Sequence, residues 1–207
     1  MRRKQIIIIM KKLLFCILAV LGVCNLYAQK PSDFIEDAKK GNNIAQYNLG
    51  VCYRNGYGTE KNAVEAAKWF IKSAESGLPQ ACLWAGFCYY DGLGVDVNYE
   101  EALRLFQQVI SNPTADKKLI AEAQGFVAQC FANGLGVIKD AIIAATLWEK
   151  SAEYGNMISQ FKIGLCYEMG LGVANSDFEK ACYWYRKAAQ QGEKNAQQKL
   201  KSFNKTW

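Results

Sequence analysis

Histidine is absent from this chain of 207 residues. That absence removes histidine-ligated metal sites, Ser-His-Asp and Cys-His nucleophile systems, and any histidine pH switch. Proline is scarce, with three residues, while the content is 51% hydrophobic and 21% charged. A disordered chain is thereby excluded. Eight cysteines are too few for a disulfide scaffold of this length. The N-terminal apolar run, Leu13 to Cys24, has 12 residues, short of the roughly 20 that a spanning helix needs.

What is present begins with an address. Arg2, Arg3, Lys4, Lys11 and Lys12 surround or precede the apolar run, and Asn25-Leu26-Tyr27-Ala28 follows it. Basic end, short apolar run and small residue at the cut make residues 1–28 a secretory signal peptide, with Gln29 first after cleavage. Read from Met10, the segment is still a complete signal, so translation from Met1 or from Met10 fits the pattern. Leu21-Gly22-Val23-Cys24 has the outline of a lipid-attachment site, but Val23 stands where a small residue is required, which argues against an anchor at Cys24. The expected location is therefore exported, periplasmic or secreted, with no membrane span after signal removal. Setting aside five signal residues also changes the charge. The net +6 of 25 basic against 19 acidic residues becomes 20 against 19, net +1. The basic excess is an export signal and not a nucleic-acid footprint.

The remainder is a repeat. Four stretches align: Leu49-Gly50-Val51-Cys52-Tyr53, Ala85-Gly86-Phe87-Cys88-Tyr89, Val127-Ala128-Gln129-Cys130-Phe131 and Ile163-Gly164-Leu165-Cys166-Tyr167. Each precedes a Gly-x-Gly: Gly56 and Gly58, Gly92 and Gly94, Gly134 and Gly136, Gly170 and Gly172. A bulky residue follows about eleven positions later: Trp69, Leu105, Leu147 beside Trp148, and Trp184. Ala45, Leu49, Cys52 and Tyr53 keep the spacing of an apolar helical stripe, helix A, and Ala66, Trp69, Phe70 and Ala74 give a second, helix B. Gly50 within helix A predicts a close approach, and the Gly-x-Gly ends that helix. Asn62 with Glu65, Asn98 with Glu101 and Ser176 with Glu179 predict capping boxes, with Asp140 capping alone. Asp33 to Gly41 reads as a lone helix B capped by Ser32 or Asp33, and Ala196 to Leu200 as a lone helix A. The expected fold is all-α, a right-handed α-solenoid of helix-turn-helix repeats. Residues 29–207 divide into a half-repeat at 32–44, repeats at about 45–80, 81–122, 123–158 and 159–195, and a half-repeat at 196–207. Six extra residues around Asn112 to Lys118 predict a longer connector in the second unit.

These motifs, with Trp-Tyr-Arg-Lys-Ala-Ala-x-x-Gly at 184–192, resemble the Sel-1-like repeat family, a variety of tetratricopeptide repeat. The resemblance covers about residues 41–200. Ala128 and Leu105 depart from the family's glycine and tryptophan.

Chemistry has few footholds. No Gly-x-Gly continues to a third glycine or follows a strand, so turns are expected in place of phosphate loops. Cys52, Cys88, Cys130 and Cys166 share one helix A position, where neighbouring helices hold Cα atoms beyond the disulfide limit. They read as small buried packing residues, and with Cys82 and Cys182 as six free thiols. A cysteine-rich branch of the resembled family links hairpins through cysteines eight residues apart; Cys82 matches the second position but faces Ala74 at the first. That branch implies an alternative function, a cell-wall or β-lactam-interacting protein. Ser159 with Lys162 and Ser202 with Lys205 have the Ser-x-x-Lys spacing, without the companion motifs. Glu60, Asp91, Asp96 and Glu168 read as solvated turn and helix-end residues. No catalytic residue, metal or cofactor is expected.

The expectation is binding of another protein or a peptide. In solenoids of the resembled kind helix A lines the concave face. Carried over, this implies Tyr47, Val51 and Arg54 in unit one, and Leu83, Phe87 and Tyr90 in unit two. Gln129 follows in unit three, then Phe161, Leu165, Glu168 and Met169 in unit four. A strip so rich in aromatic and apolar residues predicts a groove for a partner, unless adjacent side chains cover it.

Overall fold

Ten α-helices and one 3-10 turn make up the residues described, 30–207, of this computed structural model, with no strand among them. The expected signal peptide lies outside the described residues. After the turn Pro31–Asp33, α1 (Ile35–Lys39) stands alone. Four hairpins follow: α2 (Asn43–Asn55) with α3 (Ala63–Ala74), α4 (Pro79–Asp91) with α5 (Tyr99–Ser111), α6 (Lys117–Asn133) with α7 (Ala141–Glu153), and α8 (Met157–Met169) with α9 (Phe178–Gln190). The lone α10 (Lys194–Ser202) closes the array. Each helix packs chiefly on its neighbours in sequence, as in a solenoid.

The same backbone lock closes every hairpin. The amide that opens helix B donates to the carbonyl of the helix A aromatic: Asn62 to Tyr53, Asn98 to Tyr89 and Asp140 to Phe131 at 2.9 Å, and Asp177 to Tyr167 at 2.8 Å. The first glycine of the turn adopts left-handed backbone, φ 70° at Gly92, and ends helix A. Beyond it the second glycine has a role that a turn alone does not explain. A Cβ on Gly94 would run into the carbonyl oxygen of Ala63, and one on Gly172 into that of Ala141. Both alanines open helix B of the preceding unit. The Gly-x-Gly thus combines a helix stop with an inter-unit contact.

Within a hairpin, an aromatic ring lies on the helix A glycine. Phe70, Phe106 and Tyr185 would sit 2.7, 2.5 and 2.6 Å from a Cβ at Gly50, Gly86 and Gly164. The predicted close approach is therefore ring on backbone. Trp69 and Trp184, one position earlier, are buried, as is Leu105. Between units, a glutamine amide ties helix A to the preceding helix B: Gln46 donates to Ala38 O at 3.0 Å, and Gln160 and Gln197 to Ala152 O and Ala189 O at 3.1 Å. Cys82 occupies this position in unit two, its Sγ 3.7 Å from Ala74 O.

Several expectations change. Ser176 does not cap α9; Asp177 does, accepting from Lys180 N at 2.9 Å. The turn of unit four is one residue longer, which moves the cap along by one. Phe34, not Ser32 or Asp33, stands at the cap of α1 without a side-chain bond, because Asp33 accepts from Lys30 N instead. Asn62 and Asn98 cap as expected, but Glu65 turns to Lys68 and the Trp69 indole, and Glu101 to Arg104. The six extra residues go mostly into helix. A five-residue link, 112–116, is followed by a 17-residue α6 capped by Asp116, against 13 residues in α2, α4 and α8. Gln124, at the glutamine position of this unit, keeps a buried Oε1 without a hydrogen bond.

Candidate functional site

The predicted strip splits into a closed part and an open part. In units one and two its rings pack on neighbouring rings outside it. Phe87 lies 5.6 Å from Phe106, 4.7 Å from Phe126 and 5.2 Å from Trp84, centroid to centroid. Tyr90 stacks edge-on to Phe126 and Tyr99, and Tyr47 tilts against Phe70. Leu83 is a correction: it is 1% exposed, in one core cluster with Ala123 and Val127 of the next unit. There α4 packs directly against α6, so this side chain has no access to a partner. Val51 and Gln129 are half-buried. The Arg54 guanidinium lies 3.6 Å over the Trp84 ring and Nε donates to Asn55 Oδ1 at 3.1 Å, while its Nη1 is buried without a hydrogen bond. Burial pulls Arg54 below its usual range and pushes the Tyr47 phenol above its own.

Glu168 is a second correction. It receives the Tyr185 hydroxyl and, at 2.7 Å, the Lys199 ammonium. Burial pushes its carboxyl up, but these two donors outweigh that and hold it below the usual carboxylate range. The group fastens α10 to α8 and is not a free recognition residue. Phe161 likewise leans on Tyr185, 5.7 Å between centroids.

Leu165 and Met169 remain, and they meet an open space. With Lys162 and Cys166 they form one stripe of α8, at i, i+3, i+4 and i+7 spacing. Opposite stand Ala141, Ala144 and Trp148 of α7, with Ala132, Lys139 and Leu171 at the rim. These residues enclose a cleft of about 260 Å³, apolar except for the two lysines. Trp148 occupies the ring position of unit three, where Ala128 replaces the helix A glycine. Met169 and Leu171 are 55% and 52% exposed. Two larger hollows lie over the turns of units two and four and are lined mainly by polar turn residues. The strip came from helix A offsets alone, so it missed Trp148 and Lys139, which helix B and the turn supply.

The residues considered for chemistry are committed to packing. Ser159 is buried. Its hydroxyl lies 2.7 Å from Ser151 Oγ, which in turn lies 2.6 Å from Ala121 O. Ser202 bonds its own helix at Lys199 O. The six cysteines of the described residues are buried and unpaired with one another, and burial pushes Cys88, Cys130 and Cys166 up to about 11. No group of three or more His, Cys, Asp or Glu side chains placed to hold a metal occurs among the described residues, and no helix there is long and apolar enough to cross a membrane.

Hairpins, glycine locks and half-unit ends define a helical-repeat solenoid. The Sel1 repeat matches residues 43–78, 79–110, 121–156 and 158–193, and the chain belongs to that family. The unmatched 111–120 contains the insertion. The chain is 34% identical over 178 residues to DAP3-binding cell death enhancer 1 of Rattus norvegicus, covering 85% of this chain and 33% of that protein. It is 39% identical to mitosis inhibitor nif1 of Schizosaccharomyces pombe over 64 residues, 30% of this chain and 9% of that one. It thus spans a third or less of the length of these relatives. Among solved structures, a Sel1 repeat protein from Oxalobacter formigenes superposes with TM-score 0.73 at 30% identity, covering 82% of this chain and 65% of that one. The protective antigen c5321 of uropathogenic Escherichia coli gives 0.71 at 29%, covering 81% and 34%. Sel1-repeat proteins are protein-interaction scaffolds.

Proposed function

We propose that this protein is exported, to the periplasm or the medium, and acts there as a scaffold that binds another protein or a peptide without catalysing a reaction. The observation that carries the binding reading is the apolar cleft between α7 and α8, with Met169 and Leu171 at its open edge. Exposed apolar surface gathered in one concave place is what a partner covers. Family membership supports the same reading, and the rat relative is by its name a binder of another protein. Export rests on the pattern of residues 1–28.

Cross-linked capture from the native host tests the scaffold. Wild type is expected to retain a partner that Met169→Glu loses, while the variant keeps its helical circular dichroism. Equal recovery by both removes the cleft from the function. N-terminal sequencing of the exported chain is expected to begin at Gln29; a chain still starting at Met1 or Met10 contradicts the signal.

A further inference from the structure

The two lysines of the cleft narrow the class of partner. Lys162 and Met169 are seven residues apart on α8, about 10 Å along its axis. Lys162 therefore marks one end of the cleft. Lys139 marks the other, because Gly172, just beyond the Met169 end of α8, rests on Ala141, two residues after Lys139. Neither lysine forms an ion pair among the described residues. Three carboxylates on α7, its cap and α8 are engaged elsewhere. Asp140 caps α7 through Ile142 N and Ile143 N, Glu149 accepts from the Tyr167 hydroxyl at 2.7 Å, and Glu168 holds Tyr185 and Lys199. Two cations without partners thus bracket an apolar space. At about 260 Å³ it lies below the roughly 300–1,000 Å³ of small-molecule pockets and suits one or two large apolar side chains.

We propose that the α7–α8 cleft takes an acidic peptide segment of the partner, with apolar side chains seated on Trp148, Leu165 and Met169 and flanking carboxylates on Lys139 and Lys162. The proposal rests on the scaffold reading and specifies its ligand. Apolar seating supplies the anchor. The lysines supply discrimination, since a basic segment would place like charges at both ends of the cleft.

Fluorescence anisotropy tests it on the chain lacking the signal segment. The probes are the labelled, amide-capped peptides Asp-Leu-Phe-Leu-Glu, Lys-Leu-Phe-Leu-Lys and Asp-Ser-Ser-Ser-Glu. The first is expected to bind at least tenfold more tightly than either of the others. Lys139→Glu combined with Lys162→Glu is expected to invert the preference between the first two. Lys139 is exposed, so Lys139→Gln alone leaves the fold intact and is expected to weaken the acidic probe several-fold. Equal binding of acidic and basic probes, an unchanged preference in the double variant, or self-association through this cleft in place of probe binding overturns the proposal. If a host partner is captured but survives the double variant, the scaffold reading stands and the acidic-segment assignment falls.

Discussion

At the residue scale, glycines that look alike in the sequence do different work. Gly77 and Gly155 have left-handed backbone and nothing within 4 Å of a Cβ position, so a substitution meets only conformational strain. Gly94 and Gly172 have the same backbone sign but lie on a carbonyl of the preceding unit. Gly77→Ala is expected to cost about 1 kcal/mol, the strain of one left-handed residue. Gly172→Ala adds an overpacked contact of about 1–3 kcal/mol, because its neighbour is helix backbone and cannot step aside. Urea unfolding of the two variants, compared at the midpoint, checks the difference; equal midpoints contradict an inter-unit role. The pattern was visible before the structure, but the division of labour was not. A Gly-x-Gly specifies a turn, whereas its contact with Ala63 or Ala141 depends on how far the next unit rotates, which no local signal encodes.

At the element scale, the short helix α10 depends on its neighbours. Nine residues are too few for a stable isolated helix. Buried Leu200, the Gln197 amide on Ala189 O and the Glu168–Lys199 pair hold it. Because the Glu168 carboxyl is depressed in the folded state, its contribution is complete above the unfolded value, about 4.3, and is lost as pH falls through the lower folded value. Its size is about 1 kcal/mol, given the partial exposure of both side chains. Amide exchange in α10 is therefore expected to accelerate below about pH 4 relative to α4. In Glu168→Gln that acid step disappears and exchange is already faster at pH 7. An acid step retained by the variant contradicts the assignment. At this scale most of the fold was legible, because periodic apolar stripes and cap residues mark helices directly. Two of the misses share a cause: an insertion breaks a fixed offset. One extra residue moved the cap from Ser176 to Asp177, and six became an extra turn of α6 and a modest link. Leu83 and Glu168 were misread for a related reason. A helix A offset names a face but not whether the next unit covers it, and here α6 covers Leu83 while α10 engages Glu168.

At the scale of the whole molecule, stacking decides what is left for function. Each hairpin buries its apolar face on the next, and apolar surface opens into a concave space where that stacking is incomplete. In units one and two Tyr47, Phe87 and Tyr90 are taken up by neighbouring rings, Phe70, Trp84, Phe106, Phe126 and Tyr99. Between α7 and α8 the ring Trp148 borders an open cleft with Leu165, Met169 and two lysines around it. The residues of that cleft come from two A helices, α6 and α8, one B helix, α7, and two turns, so a helix A offset within one unit does not outline it. Outside residues 1–28 the chain carries two methionines, Met157 and Met169, one at each end of α8. Methionine-methyl NMR of residues 29–207, titrated with the partner captured from the host, thus reads the cleft through one signal and controls through the other. The account predicts that the Met169 methyl and the Trp148 indole signals move while the Met157 methyl stays in place; binding that shifts Met157 alone, or neither methyl, would contradict it.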